Sequence, residues 1–484
     1  MEDRADITLT DKRTGTIAPE LFGCLIENYG TLLDGIWVGD DPSIPNEEGL
    51  RLDTIAALRE LGTGVIRFPG GTPADYYRWR DGTGPDRKRT WNFFFGGEET
   101  NEFGTHEFVR LCRKVGAAPS IKLNPISGTL HEALEWMQYC NHDGDTYLTA
   151  ERRANGEAEP LGVRSWVIGN ETADTWSPEG YAELVFRWTF FMRQVDPASR
   201  IVAEGWNADW NERFLKKFST LSKAGGVISN DIASASEQGM DIEPGGKLHM
   251  LGLKYPREQD LRDTIAMIDE HFDGGLELCV EEWEGQTRFT CGWPQEWLDT
   301  MSVFEIVLHQ GRAGLKYENE ARLDGGLKVA ERMHWWMRHA DRVKMATYLY
   351  PTNTWAPLLK TSGGDLLRTP QYHAMSMLSA HREAESIGVE TSGGRIDAAA
   401  STGNGKLTVS LLNQEERPVR TTVRAGAVGH PRAAAAAVLT GDPGDENSFE
   451  ARDRVFPRDA EVSMEEGTLT VSCEPHSLTV IQCE

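Results

Sequence analysis

Eight apolar segments with the character of buried strands recur between about residues 20 and 370, separated by segments with helical spacing of apolar residues. Strand–helix alternation requires parallel pairing with right-handed crossovers. Eight such units predict an α/β fold of the closed (β/α)8 barrel type rather than an open doubly wound sheet. Strands are expected at Leu21–Glu27, Gly64–Phe68, Ala118–Asn124, Arg164–Asn170, Arg200–Glu204, Leu248–Tyr255, Leu276–Glu282 and Lys344–Tyr350. Helices are expected at Glu48–Leu61, Thr105–Val115, Leu130–Tyr139, Tyr181–Val195 and Asp260–Phe272.

The pattern changes after about residue 385, where shorter segments alternate apolar and polar residues between clusters of Gly, Pro, Asp and Asn. This alternation is typical of half-buried antiparallel strands. We therefore expect a barrel over residues 19–383 and a jelly-roll-like antiparallel β-sandwich over residues 384–484. Ala5–Thr10 alternate in the same way, so residues 1–18 are expected to add a strand to the sandwich.

The charge of the chain limits its partners. The 484 residues carry a net charge of −25, which argues against binding to nucleic acid or to an anionic membrane. No apolar run reaches the length of a membrane span, and the acidic N-terminus does not resemble a secretory signal. The seven cysteines are odd in number and scattered, which favours reduced thiols in the cytoplasm over a disulfide framework.

Two of the predicted strands end in carboxylates. Gly169-Asn170-Glu171 ends the fourth strand, and Glu281-Glu282-Trp283 ends the seventh. Barrel enzymes place their reactive groups at these C-terminal strand ends. A pair of carboxylates across one carbon is what glycosidic bond cleavage requires, so Glu171 is the candidate general acid/base and Glu282 the candidate nucleophile. Because side chains alternate along a strand, only one of Glu281 and Glu282 is expected to point inward, and Glu282 is favoured.

Other polar and aromatic residues at strand ends are candidates for substrate binding. Arg67 beside a carboxylate keeps that carboxylate ionised, although a structural ion pair at the barrel rim is an equal alternative. Asn170 is placed to bond a ring hydroxyl or to cap its loop, and Tyr255 to bond Glu282 or to form part of the rim. Trp283 suits a platform under a sugar. The segments Asp41–Glu48 and Phe289–Trp297 are candidate walls of the site.

The sequence lacks the motifs that indicate several other kinds of enzyme. The sequence contains no HExxH or CxxC motif, no GxSxG elbow and no Gly-rich nucleotide loop. We therefore expect neither a metal nor a cofactor, and a carboxylate mechanism remains.

Longer motifs resemble the α-L-arabinofuranosidases of glycoside hydrolase family 51. The resemblance covers nearly the whole chain and is carried by Gly35–Gly39, Arg67–Gly71, Ala74–Gly82, Phe103–Phe108, Gly169–Glu171, Glu282-Trp283, Arg338–Ala346, Asn447–Glu450 and Pro475–Val480. It implies a barrel and sandwich fold, retaining and metal-independent hydrolysis of terminal arabinofuranosyl residues, and an intracellular homo-oligomer, a trimer or hexamer. It also implies the acid/base role for Glu171 and the nucleophile role for Glu282, with substrate contacts at Glu27, Arg67, Asn124, Asn170 and Tyr255.

Residues near the strand ends depart from the family pattern. Asn28 and Lys254 each replace a His, Thr72 replaces a Cys, Ile126 replaces a Gly, Glu281 replaces an Asp, and Ala356 falls near a usual Gln. A lost hydrogen-bonding partner in a sugar site changes specificity strongly. The alternatives that stay open are a galactofuranoside or β-xyloside as substrate, an endo-acting glycanase, and a carbohydrate-binding protein without catalysis.

Overall fold

Eight parallel strands form a closed barrel in the computed structural model, which describes residues 3–28, 35–93, 97–223, 247–272, 275–285, 321–428 and 433–484. Each strand pairs with its neighbours in chain order, and the eighth closes onto the first where Thr347 lies opposite Gly23. This confirms the predicted (β/α)8 barrel. From first to eighth, the barrel strands are Gly23–Leu25, Val65–Phe68, Ala118–Leu123, Ser165–Ile168, Arg200–Glu204, Met250–Lys254, Glu277–Trp283 and Val343–Tyr348.

Helices surround the barrel, and all five that were predicted are present. The first helix was predicted from Glu48 but begins at Leu52. Glu48 and Gly49 have φ angles of 54° and 80° and form the turn of a short hairpin, a backbone that a right-handed helix excludes. The helices are α1 Leu52–Leu61, α2 Thr105–Val115, α3 Leu130–Asn141, α4 Tyr147–Ala154, α5 Pro178–Val195, α6 Ala208–Lys223, α7 Glu258–His271, α8 Leu323–Arg338 and α9 Pro370–Leu378.

Ten strands from both ends of the chain form one connected sheet outside the barrel. The N-terminal strand Asp3–Thr16 pairs antiparallel with Glu385–Gly393 and parallel with Val419–Arg424. The other pairs are antiparallel. Strands distant in the sheet order share one apolar core, so the sheet folds onto itself. Its remaining strands are Ile396–Gly403, Lys406–Asn413, Ala434–Thr440, Arg458–Ala460, Val462–Glu465, Thr468–Cys473 and Ser477–Cys483.

A buried polar network joins the barrel to this sheet domain. His334 of α8 contacts Asp397 at 2.8 Å through Nδ1 and Ser410 at 2.7 Å through Nε2. Arg338 of the same helix pairs with Asp397 at 2.6 Å. The order Ser–His–Asp is that of a hydrolase triad, but the Ser410 side chain is fully buried and out of reach of a substrate. The network therefore ties α8 to the sheet.

The described residues contain six of the cysteines, all buried and unpaired, while Cys291 lies outside them. Within the same residues no helix has the length and apolar character needed to cross a membrane.

Candidate active site

The polar floor of the barrel mouth follows from the two-residue repeat of its strands. Six side chains form an apolar layer inside the barrel: Val65, Val167, Val202, Met250, Cys279 and Met345. Two residues further along a strand, the next inward side chain lies closer to the C-terminal end. Arg67, Glu204 and Glu281 occupy such positions, and all three are buried. The sequence thus places charged groups directly above an apolar plug.

A β-bulge in the seventh strand brings two adjacent glutamates into the site. Leu253 pairs with Val280, whereas Lys254 pairs with Glu282, so the seventh strand contains one extra residue at this point. The prediction that only one of Glu281 and Glu282 points inward is therefore wrong, because strict alternation fails at a bulge. Glu281 points to the barrel interior, where a methyl group on Gly252 would lie 2.6 Å from its carboxyl carbon. Glu282 lies at the mouth.

Arg67 holds both of these carboxylates. Its Nη1 donates to Oε2 of Glu281 at 3.0 Å, and its Nη2 donates to Oε1 of Glu282 at 3.1 Å. The planar guanidinium suits two fixed acceptors on one side. Burial alone would raise the pKa of Glu282, but Lys254, Arg67 and Lys122 outweigh burial and lower it to about 2. Glu282 is therefore ionised at neutral pH.

Lys254 lies between the two candidate catalytic carboxylates. Its Nζ is 2.9 Å from Oε1 of Glu282 and 3.6 Å from Oε1 of Glu171. These two contacts limit the distance between the two Oε1 atoms to at most about 6.5 Å, which is compatible with the spacing of about 5–5.5 Å between the carboxyl groups of retaining glycosidases. Burial opposes the charge of Lys254, but the neighbouring carboxylates, Glu282 foremost, outweigh burial and raise the pKa of this ammonium group.

Glu171 is the more accessible of the pair. Its side chain is 39% exposed, whereas that of Glu282 is 8% exposed. The backbone of Glu171 is left-handed, with φ of 46°, a conformation that costs energy for a residue with a side chain. The preceding Asn170 is buried and accepts hydrogen bonds from Lys254 at 2.8 Å and Lys122 at 2.9 Å. The turn thus aims Glu171 at the open side of the mouth.

Two further carboxyl groups beside the pair are protonated below neutral pH. Burial and the charge of Glu282 raise the pKa of Glu27 to about 7, although the N–H of Gly71 donates to its Oε1 at 2.8 Å. Burial raises the pKa of Asp75 to about 7, against the opposing effect of Lys122. Both groups are hydrogen-bond donors when protonated and acceptors when ionised, so the polarity of this side of the site changes near pH 7.

A buried cluster beneath the pair was not recognised from the sequence. Lys122 Nζ lies 2.5 Å from Glu204 and 3.0 Å from Glu281, and the two carboxyl groups share a hydrogen bond. Burial raises the pKa of Glu204, whereas Lys122 and Arg67 outweigh burial and lower that of Glu281. Glu204 is therefore the protonated partner. The sequence signal for this cluster is a charged residue, Lys122 or Glu204, within an otherwise apolar strand. A charged side chain is stable inside a barrel only when it is paired with an opposite charge.

Two of the predicted substrate contacts, Trp283 and Asn124, take other positions. Trp283 is fully buried and packs edge-to-face against Trp336 and Tyr348, with ring centroids 4.3 and 4.8 Å away. The prediction of a sugar platform at Trp283 is therefore wrong, because the side chain points outward into the helix layer. Asn124 ends the third strand as expected, but its Oδ1 caps the following loop through the N–H groups of residues 126, 127 and 128.

Tyr255 reaches Glu282 through its backbone, since its N–H donates to the carbonyl oxygen of Glu282 at 2.8 Å. Its side chain is 37% exposed at the rim of the mouth.

The departures from the family pattern lie in different surroundings. Lys254 lies between Glu171 and Glu282, whereas Asn28 donates to Oδ1 of Asn101 at 3.2 Å and lines a separate pocket with it. Ala356 is fully buried, and its carbonyl oxygen accepts a hydrogen bond from Tyr348 at 2.7 Å.

The first candidate wall of the site, Asp41–Glu48, borders a cavity of about 810 Å³, which Asp41 and Ile44 line together with Lys360 and Phe449. The second candidate wall, Phe289–Trp297, lies outside the described residues.

Among the described residues no group of three or more His, Cys, Asp or Glu side chains has the arrangement of a metal site.

Comparisons with known proteins place the chain among sugar-cleaving enzymes. Residues 57–212 match the model of the alpha-L-arabinofuranosidase 1 domain, and residues 296–477 match that of the alpha-L-arabinofuranosidase C-terminal domain. The intracellular exo-alpha-(1->5)-L-arabinofuranosidase of Streptomyces lividans is 28% identical over 97% of this chain and 73% of its own length. The intracellular exo-alpha-L-arabinofuranosidase of Bacteroides ovatus is 26% identical over 99% of this chain and 96% of its own.

A solved structure has the same fold. The GH51 arabinofuranosidase from Xanthomonas axonopodis pv. citri superposes with a TM-score of 0.84 over 100% of both chains, at 23% sequence identity.

Proposed function

We propose that the chain is an α-L-arabinofuranosidase of glycoside hydrolase family 51, a retaining exo-glycosidase that releases terminal non-reducing α-L-arabinofuranosyl residues from arabinose-containing oligosaccharides or polysaccharides. The observation that carries this proposal is the pair Glu171 and Glu282. The two carboxylates extend from the fourth and seventh strands toward one ammonium group, with different exposure and different cationic partners.

In the first step Glu282 is the nucleophile. An ionised oxygen of Glu282 attacks the anomeric carbon and forms an ester bond, while the bond from that carbon to the leaving oxygen breaks. Glu171 transfers its proton to the leaving oxygen and becomes a carboxylate. Arg67 and Lys254 keep Glu282 ionised, and the exposure of Glu171 gives a leaving group access to its proton.

In the second step Glu171 is the general base. It takes a proton from a water molecule whose oxygen bonds to the anomeric carbon. The ester bond to Glu282 breaks, and the sugar leaves with the configuration it had at the start. Glu171 regains its proton and Glu282 its negative charge, so both groups return to their first state.

We also propose which side chains bind the sugar and determine its identity. Glu27 lies beside Glu282 and offers a proton to a hydroxyl group below about pH 7. Asn170 is held by two lysines through its Oδ1 and donates one amide N–H to Oε2 of Glu171 at 3.4 Å, so its second amide N–H is the proposed donor toward the sugar. Tyr255 contributes an exposed rim group. Because the two relatives described above are named intracellular, we also propose a cytoplasmic location. The resemblance to the family implies a homo-oligomer, a trimer or hexamer, which we propose for the assembly.

An endo-acting glycanase is the second candidate. A pocket of about 210 Å³ adjoins Asn28, and its lining includes the exposed rings of Tyr76, Trp91 and Phe93. Exposed aromatic faces suit contact with sugar rings beyond the terminal one. Hydrolysis of an internally linked arabinan or xylan to oligosaccharides would favour this candidate over the exo enzyme.

A panel of aryl glycosides tests the proposal: an α-L-arabinofuranoside, a galactofuranoside and a β-xyloside, each with wild type, Glu171→Gln and Glu282→Gln. We expect turnover of the arabinofuranoside by the wild type and loss of that turnover in both variants. Turnover of another glycoside alone would overturn the choice of sugar. Equal trace turnover in all three proteins would instead indicate a carbohydrate-binding protein.

A further inference from the structure

The ammonium group of Lys254 has contacts that fit both states of the proposed catalytic cycle. It lies 2.9 Å from Glu282 and 3.6 Å from Glu171, and it donates to Oδ1 of Asn170 at 2.8 Å. The side chain is almost completely buried, so solvent screens these charges little. A cation in this position interacts strongly with whichever neighbouring carboxyl group is ionised.

Retaining hydrolysis moves one negative charge between these two carboxyl groups. The proposed cycle begins with Glu282 ionised and with the transferable proton on Glu171. In the glycosyl-enzyme Glu282 is a neutral ester and Glu171 is the ionised base. The charge therefore moves from one side of Lys254 to the other during each half-reaction.

We propose that Lys254 is a positioning residue that acts as the counterion of whichever catalytic carboxylate is ionised, Glu282 in the free enzyme and Glu171 in the glycosyl-enzyme. This inference rests on the proposed retaining function. Lys254 needs to move only a short distance, because both carboxylates are within 4 Å of its Nζ. The bond to Asn170 provides a fixed pivot for that movement.

Lysine suits this role better than the other cation at Glu282. Arg67 is committed to two fixed acceptors, Glu281 and Glu282, through a rigid planar fork. An ammonium group on a flexible stem presents three rotatable donors and follows a charge that moves. Arg67 therefore anchors the nucleophile permanently, whereas Lys254 serves both carboxylates in turn.

The other charged groups around the pair define what a pH profile will report. Glu282 interacts with Lys254, Arg67 and Lys122, and it raises the pKa of the neighbouring Glu27. Glu171 has Lys254 on one side and Asp75 in its electrostatic surroundings. Glu204 and Glu281 lie beneath both groups around Lys122. When Lys254 is removed, Arg67 is the direct ion-pair partner that remains for Glu282 among the described residues. Glu171 loses the direct ion-pair partner that it has among the same residues.

The test compares the pH dependence of two kinetic constants in wild type, Lys254→Met and Lys254→Arg. The substrate is a nitrophenyl α-L-arabinofuranoside. The pre-steady-state burst of nitrophenol is measured first, because a burst establishes that the second step limits kcat. The acidic limb of kcat/KM reports the free enzyme, and that of kcat reports the glycosyl-enzyme. We expect Lys254→Met to move both acidic limbs upward by at least about one pH unit. Lys254→Arg, which keeps the charge, is expected to restore most of the shift.

A matched variant and a second measurement keep the outcomes separate. Lys217→Met removes a lysine that pairs with Glu183 on the outer helices, and it is expected to leave both limbs unchanged. The crystal structure of Glu282→Gln requires no activity and mimics the neutral ester. There we expect Lys254 Nζ to approach Oε1 of Glu171 to within about 3.2 Å.

Two results would overturn the inference. One is an acidic limb of kcat that does not move in Lys254→Met, which would restrict Lys254 to the nucleophile even if the kcat/KM limb shifts. The other is an ammonium group that stays on the residue at position 282 in Glu282→Gln. If the wild type cleaves no glycoside, the proposed function fails by itself, and the crystal structure still decides whether Lys254 changes partner. The same holds if Lys254→Met does not fold.

Discussion

Arg67 and Glu282 join the second and seventh barrel strands through a hydrogen-bonded ion pair of 3.1 Å across the barrel mouth. The same guanidinium pairs with Glu281 at 3.0 Å, and all three side chains are buried. A buried cation with two carboxylate partners is costly to remove, because its partners then remain charged without compensation. The ion-paired group of Arg67, Glu281 and Glu282 therefore stabilises the fold in addition to keeping Glu282 ionised.

We expect Arg67→Met to lower the free energy of unfolding by about 3–5 kcal/mol, the usual cost of breaking a buried ion pair. Urea denaturation at neutral pH measures this change. Arg257→Met is the matched control, since Arg257 is 79% exposed and pairs only locally with Asp260, and its change should stay below about 0.5 kcal/mol. Equal effects of the two substitutions would contradict a structural role for Arg67.

The assignment of the two carboxylates predicts opposite stereochemistry when azide rescues their alanine variants. In Glu171→Ala the ester to Glu282 still forms with a good leaving group, and azide then attacks it, so the glycosyl azide retains configuration. In Glu282→Ala azide attacks the substrate directly, so the product is inverted. Without azide, Glu171→Ala should lose about 10²–10⁴-fold in kcat/KM on a substrate with a poor leaving group. Exchanged stereochemical outcomes would reverse the two roles.

The raised pKa of Glu27 predicts that the free energy of unfolding depends on pH. Its pKa of about 7 in the folded protein lies above the usual value of 4.5, because burial and Glu282 oppose its charge. A raised carboxyl pKa stabilises the fold fully below the unfolded pKa, and this contribution is lost as pH rises through about 7. The wild type should therefore lose about 2–3 kcal/mol relative to Glu27→Gln between about pH 5 and pH 8.

Denaturation of both proteins at the two pH values measures this difference. Glu98→Gln, a change at an exposed carboxylate, should show no such dependence. A constant difference between wild type and Glu27→Gln would show that Glu27 does not change protonation in this range.

Gly252 makes room for the carboxylate of Glu281. A methyl group at this position would lie 2.6 Å from the carboxyl carbon and force Glu281 away from Arg67 and Lys122. We expect Gly252→Ala to lower the melting temperature and to reduce kcat/KM at least about tenfold, since Arg67 also holds the nucleophile. Gly275→Ala is the control, because its methyl group would meet no atom of the described residues within 4 Å. Normal activity in Gly252→Ala would contradict this account of Glu281.

The repeats of the sequence were sufficient to predict the barrel and the meeting of its two carboxylates. Eight strand–helix units impose the strand order, and that order brings the ends of the fourth and seventh strands to one mouth. Glu171 and Glu282 therefore follow from position alone. The two helix-breaking residues Glu48 and Gly49 show the limit of the same reasoning, since a local turn overrides an apolar repeat of helical spacing.

The interior of the site was harder to predict because it depends on pairs of residues distant in the sequence. Lys122 and Glu204 are 82 positions apart, and neither strand alone indicates that their charges meet. The bulge at Glu282 also has no signature in its own strand, and it decides that Glu281 turns inward and Trp283 outward. Lys254 was visible as a departure from the family pattern, but its position between two carboxylates appears only in the folded chain.

The proposed mechanism requires that Glu171 and Glu282 hydrolyse an α-L-arabinofuranoside in two displacements. Proton NMR of the reaction with a nitrophenyl α-L-arabinofuranoside, recorded before the released sugar equilibrates, tests this claim most directly. We predict that arabinose with the α configuration appears first and that the β anomer follows only through spontaneous equilibration. Initial release of the β anomer, or no hydrolysis of this substrate by the wild type, would contradict the account.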